Sequence, residues 1–180
     1  MKKSISFILF LLFSFGFSQN VSINPTQYKA NKWRVGGGIG LGFGSNDYFG
    51  ISITPFVGYE IAPSLEGGIS TGYQYSKWSN SRQNLFNIGP YLNYYPIPNL
   101  FTRVHYEYYT GKYKYDSGSS FMGEDYDYNF DESALWLGAG YRSSGKIQFF
   151  TGLMYNVLYD DDSSIFSTGL RPIVGVSFGL

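Results

Sequence analysis

Arg103, His105 and Glu107 stand at alternate positions in a run of β-forming residues, and a histidine beside a carboxylate is the pairing from which a general base is built. Hydrolysis through a covalent intermediate also needs a nucleophile. No serine lies at a sequence spacing that brings it to His105, and the chain has no cysteine. His105 is the single histidine, so the expectation is a hydrogen-bonded interior histidine and a protein that is not an enzyme.

The second chemistry-bearing pattern is acidic. Asp125, Asp127, Asn129 and Asp131 alternate with Tyr126, Tyr128 and Phe130, while Lys112 and Lys114 alternate with Tyr113 and Tyr115 on the preceding arm. Calcium loops of the EF-hand kind need a glycine at their sixth position, which strict period-2 spacing lacks, so no metal and no cofactor are expected. The spacing instead predicts a β-hairpin over 111–132 with its tip near 117–120. Lys112 and Lys114 would then face Asp125 and Asp127 across the ladder. Exposed tyrosines and an open strand edge would suit an extracellular protein or surface polymer as partner.

The elements that carry these residues follow from alternation. From about residue 32 to the end, bulky apolar side chains recur at every second position between turn signals. The first strand, about 32–44, sets Trp33, Val35, Ile39, Leu41 and Phe43 against Arg34 and a row of glycines. Further strands are predicted at about 48–61, 65–76 and 84–95, from 100, up to 142, at 147–159, and at the C-terminus. Tight turns fall at Ala62-Pro63-Ser64, Pro96-Ile97-Pro98-Asn99 and Ser143-Ser144-Gly145; longer loops, including 77–83, are expected at the other end. Bare glycine opposite bulk argues against a soluble sandwich, whose second face would be polar. It suits the lumen of a narrow barrel, crowded by the long side chains of neighbouring strands.

Composition points the same way. Aromatics make up 21% of the 180 residues and charged residues only 14%, against about 25% charged in soluble domains. Lys2 and Lys3 followed by apolar residues 5–17 read as an export signal over 1–18, too short for the roughly 20 residues of a spanning helix. Residues 19–31 read as a periplasmic lead-in and 32–180 as the barrel. Loss of the signal leaves 11 basic and 13 acidic residues, a net charge of −2 that gives no footing for nucleic acid.

With apolar side chains outward, Arg34, Glu60, Glu66, Arg103, Glu107 and Arg142 all point inward. The strand count places them in the periplasmic half of the lumen, with His105 among them. Charge in a narrow lumen must be paired, so a salt-bridge network filling the barrel is expected. Aromatic girdles are expected at both ends: Trp33, Tyr59, Tyr94 and Tyr141 below, and Phe49, Tyr75, Phe86, Tyr108 and Tyr159 above.

Eight up-and-down strands, glycine- and tyrosine-rich, resemble the small outer-membrane β-barrels of the OmpA/OmpX type and their relatives in Bacteroidota. The resemblance runs from Trp33 to Leu180. Its terminal run Val174, Val176, Phe178 and Leu180 is similar to the C-terminal insertion signal read by the barrel-assembly machinery, with Leu where many members end in Phe. It implies an all-β, eight-stranded antiparallel transmembrane barrel in the cell outer membrane, in contact with lipid and lipopolysaccharide, with both termini periplasmic. A structural role with surface interaction through 111–132 is the leading expectation. A lipid-modifying barrel enzyme and a small-solute channel are the alternatives. Lipid-A deacylases of this size share a His-x-Ser pair on one strand, whereas His105 is followed by Glu107.

Overall fold

The computed structural model describes residues 32–44, 47–115 and 126–180, apart from the side chains of 115, 126 and 127. The export signal, the lead-in, the hairpin tip and Asp125 lie outside the described residues. Eight strands follow in order: β1 (Trp33–Phe43), β2 (Phe49–Ala62), β3 (Leu65–Trp78), β4 (Ser81–Ile97), β5 (Leu100–Tyr115), β6 (Tyr126–Arg142), β7 (Ile147–Asn156) and β8 (Leu170–Gly179). Each pairs antiparallel with the next, and β8 returns to β1, closing an all-antiparallel barrel. Closure gives every strand two neighbours and removes the free edges of an open sheet.

Period 2 fixes the faces, and the apolar face looks outward. Ile39, Phe43 and Phe149 are 75%, 77% and 63% exposed, and large exposed apolar side chains occur on all eight strands. The inward face is filled by Phe56, Leu85, Tyr91, Phe101, Tyr109, Trp136, Phe150 and Met154 between polar residues. These rings and chains lie against glycines of adjoining strands. A β-carbon on Gly36 would stand 2.5 Å from Phe56 Cζ, one on Gly68 2.6 Å from Tyr91 Cζ, and one on Gly140 2.6 Å from Phe101 Cζ. The inward glycines are thus the sockets that let an eight-stranded bore close around its own aromatic filling.

Two expected element ends are corrected. The loop expected at 77–83 is a two-residue hairpin turn, because β3 and β4 keep pairing up to Trp78↔Ser81. Among the described residues the long connection at that end is 157–169. β7 stops at Asn156 instead of 159, since the Asn156 side chain accepts from the amides of Leu135 (3.1 Å) and Leu158 (3.0 Å) and turns the chain. At the short-turn end Trp33 and Tyr59 pack edge to face at 5.0 Å, with Tyr94 and Tyr141 also on the outer surface.

Candidate functional site

Seven of the residues singled out by charge meet in the bore, but in two layers rather than one. At the short-turn end Glu66, 2% exposed, is the hub. It accepts hydrogen bonds from Tyr91 (3.0 Å), Asn93 (3.1 Å) and Tyr95 (2.8 Å) on β4. It also faces Arg34 of β1 at 3.2 Å and Arg142 of β6 at 3.8 Å. Arg34 reaches Glu60 at 3.8 Å and donates to Gln148 at 2.7 Å. Arg103 donates through Nε to Asn93 Oδ1 at 2.7 Å, its guanidinium lying over the rings of Tyr91, Phe101 and Phe150. A carboxylate out of water is tolerated only when its lone pairs are so occupied.

The second layer is built on Glu107, 1% exposed, and corrects the expectation that all six charges share one half of the lumen. Its partner is Arg171 at the start of β8, at the long-loop end, 2.7 Å away. Asn87 and Tyr109 donate to the same carboxylate at 2.5 and 2.6 Å. Arg171 also donates to Tyr109 (2.6 Å) and lies 4.0 Å from the Trp136 ring. Arg171, which stands in the inward phase of the last strand, joins the network beyond the residues expected from the sequence. The signal was available: an inward Glu107 needed a cation, and the barrel brings together residues 64 positions apart.

Glu132, inward on β6, is a further residue that spacing did not single out. It accepts from Ser164 Oγ (2.8 Å) and from the amide of Ile165 (2.6 Å), drawing the 157–169 connection over the mouth of the bore. Phe166 then packs on Tyr109 at 4.9 Å and on Trp136 at 5.3 Å.

The fold also supplies the serine that spacing withheld from His105. Ser70 of β3 places Oγ 2.7 Å from His105 Nε2. Glu107 Oε1, however, approaches that same nitrogen, at 3.6 Å. In a hydrolytic triad the acid orients one ring nitrogen while the other takes the proton of the nucleophile. Here one nitrogen meets both, with only Ser70 at hydrogen-bond distance, so the three side chains do not have the arrangement of a triad.

In the hairpin, β5 and β6 stay paired to Tyr115↔Tyr126. The register sets Lys114 opposite Asp127, but Lys112 opposite Asn129, not opposite Asp125. The displacement follows from continuous pairing without a bulge, which fixes each partner by its distance from the base of the strands. Tyr113 stacks on Tyr128 at 5.4 Å. Of the expected insertion signal, Val174 and Phe178 face outward and are exposed, and so is the terminal Leu180, whose amide donates to Trp33 O at 3.0 Å.

No protein-family model matches this chain, and neither does any curated protein. Among solved structures it is similar to the N-terminal β-barrel domain of Pseudomonas aeruginosa OprF, at 15% identity and a TM-score of 0.47 over 83% of this chain and 98% of that one. It is similar to Neisserial surface protein A at 16% identity and a TM-score of 0.46, over 85% and 100% of the two chains. A de novo designed transmembrane β-barrel shows 15% identity and a TM-score of 0.44, over 86% and 100%.

Proposed function

We propose that the protein is an integral outer-membrane β-barrel of the OmpA/OmpX type, non-enzymatic, with both termini in the periplasm and a surface-contact role for the 111–132 hairpin. The observation that carries this reading is the outer surface of the closed barrel. Apolar side chains, including Ile39, Ile53, Ile69, Phe86, Phe149 and Val174, stay exposed on strand after strand while the charged residues are drawn into the bore. Exposed apolar patches on soluble monomers rarely exceed a few hundred Å², and an encircling band is what acyl chains solvate. The glycine- and tyrosine-rich composition supports a place among the Bacteroidota barrels of this type. Lipid and lipopolysaccharide are the surroundings this surface fits, and Val174, Val176, Phe178 and Leu180 are the segment offered to the barrel-assembly machinery.

Cell fractionation with heat-modifiable gel migration tests the reading. The folded chain should sediment with outer membranes and run faster unboiled than boiled. Recovery in the soluble periplasmic or culture fraction would sink it. Lipid modification is the second reading, motivated by the 2.7 Å approach of Ser70 to His105 alone and opposed by Glu107 sharing that ring nitrogen; mass spectra of lipid A with and without the protein decide it.

A further inference from the structure

Between the lower polar layer and Phe166 the bore holds a cavity of about 320 Å³, within the roughly 300–1,000 Å³ of small-molecule sites. Its lining mixes apolar side chains such as Phe56, Phe150 and Ile173 with Ser70, Arg103 and His105. Two features of this cavity are unexplained by a plug that merely fills the barrel.

The first is an unmatched charge. Arg34 and Arg142 face Glu66, and Arg171 faces Glu107. Among the described residues Arg103 alone of these four inward arginines has no carboxylate within 4.0 Å. Its one hydrogen bond there leaves from Nε to Asn93, so its two terminal nitrogens have no acceptor among the described residues while the side chain lines the cavity. Glu66 is reached only through Asn93; a guanidinium drawn into a bore with no carboxylate in direct contact is costly, and the planar pair of terminal donors matches one.

The second is a seam paired over only part of its length. The β1–β8 ladder runs only from Arg34↔Gly179 to Gly38↔Gly175. Even-numbered residues of β8 direct their main-chain groups at β1: the Leu180 amide donates to Trp33 O, and Val176 O and Val174 O lie against Gly36 and Gly38. Continuing the register would set Leu41 opposite Pro172, which has no N–H to give on that side. Ile39 and Gly40 on one side, and Pro172, Ile173 and Val174 on the other, therefore line the cavity where the wall is unpaired. Outside that stretch lie Ile39, Leu41 and Phe43, at 75%, 67% and 77% among the most exposed apolar side chains of the barrel.

We propose that the bore binds a single-chain amphiphile with an anionic head, of the fatty-acid class. The carboxylate sits on the terminal nitrogens of Arg103. The chain runs past Phe56 and Ile173 to the β1–β8 seam, which is the way in from the apolar surroundings. The seam's part in this rests on the membrane reading, whereas the head-group site at Arg103 does not.

The test uses the full barrel folded in phosphatidylcholine vesicles, titrated calorimetrically with sodium decanoate, 1-decanol or sodium formate, each corrected by empty vesicles. Decanoate should give saturable binding near one per chain, with decanol weaker by about tenfold or more, the worth of a charge-assisted hydrogen bond. Equal binding of decanoate and decanol, or no decanoate binding beyond partition into lipid, overturns the proposal. Formate binding as tightly as decanoate overturns it in favour of a plain anion site. Arg103→Gln should weaken decanoate by a similar factor and Arg103→Lys by less; the head-group comparison on the unaltered chain stands whether or not these variants fold. Pro172→Val, which restores a donor to the seam, should slow decanoate association, and an unchanged rate removes the seam from the route. Flotation with the same vesicles separates the two readings. A chain that does not float refutes membrane insertion, while one that floats without binding decanoate refutes the site alone.

Discussion

The upper polar layer makes a prediction whose size follows from its geometry. Glu107→Gln keeps an acceptor oxygen for Asn87 or Tyr109 (2.5 and 2.6 Å in the parent) but removes the anion that faces Arg171 at 2.7 Å. Breaking a buried ion pair by altering one member costs about 3–5 kcal/mol. The Arg171 side chain is 28% exposed, and that solvent contact places the expectation for Glu107→Gln near the lower end, about 3 kcal/mol. Arg171→Met, which strands a Glu107 side chain only 2% exposed, should cost about as much or more. Combining the two removes both charges at once, and the double variant should return to within about 1 kcal/mol of the parent. Urea titration of the barrel in phosphatidylcholine vesicles, followed by tryptophan fluorescence and circular dichroism, measures all four free energies. Glu60→Ala is the control: its contact with Arg34 is 3.8 Å and its side chain 30% exposed, so about 0–1 kcal/mol is expected. Single-variant losses that simply add in the double variant, or a Glu107→Gln loss no larger than that of Glu60→Ala, would refute the idea that this pair is a coupled buried unit.

Gly36→Leu should prevent closure, because its β-carbon would meet Phe56 and Val176 O; the unboiled gel should then show little of the fast-migrating folded band. Pro172→Val should extend the β1–β8 ladder by one hydrogen-bonded pair, for a gain of about 0.5–1.5 kcal/mol. The amide of residue 172 should then be protected from hydrogen exchange, and rapid exchange there would count against the seam geometry. Because the chain has no native cysteine, orientation can be read with single cysteines: Asp161→Cys should react with an impermeant maleimide on intact cells, and Ser144→Cys only after the outer membrane is breached. The reverse pattern would invert the barrel.

Much of the fold was legible because a period of 2 commits every side chain of a strand to one face, and a one-residue slip would turn all of Ile147, Phe149, Leu153 and Tyr155 inward. Strand ends were less so. Nothing in Lys77–Gln83 marks it as two extended arms rather than a polar loop, since Lys77↔Arg82 and Ser76↔Gln83 pair polar residues beyond the apolar band. Asn156 gave no warning that its side chain would end β7, because the donors it captures, Leu135 N and Leu158 N, come together only once the sheet is formed.

The site was legible by residue type and illegible by partner. Inward polarity identified Arg34, Glu66, Arg103, His105 and Glu107, but alternation tells which face a residue looks from, not how high along the bore it meets another strand. Ser70 reaches His105 across 35 positions and Arg171 reaches Tyr109 across 62, both set by the stagger of strands that a barrel must adopt to close. The inward aromatics were lost for a related reason. Phe56, Tyr91, Phe101 and Phe150 break the rule of apolar out and polar in, and their fitness appears only opposite Gly36, Gly68, Gly140 and Gly175 on other strands. Size complementarity between those rings and glycines packs the lower bore, and this makes the upper cavity informative: a sequence able to fill its interior so closely leaves Arg103 without a carboxylate in direct contact and Pro172 without a donor at the same opening.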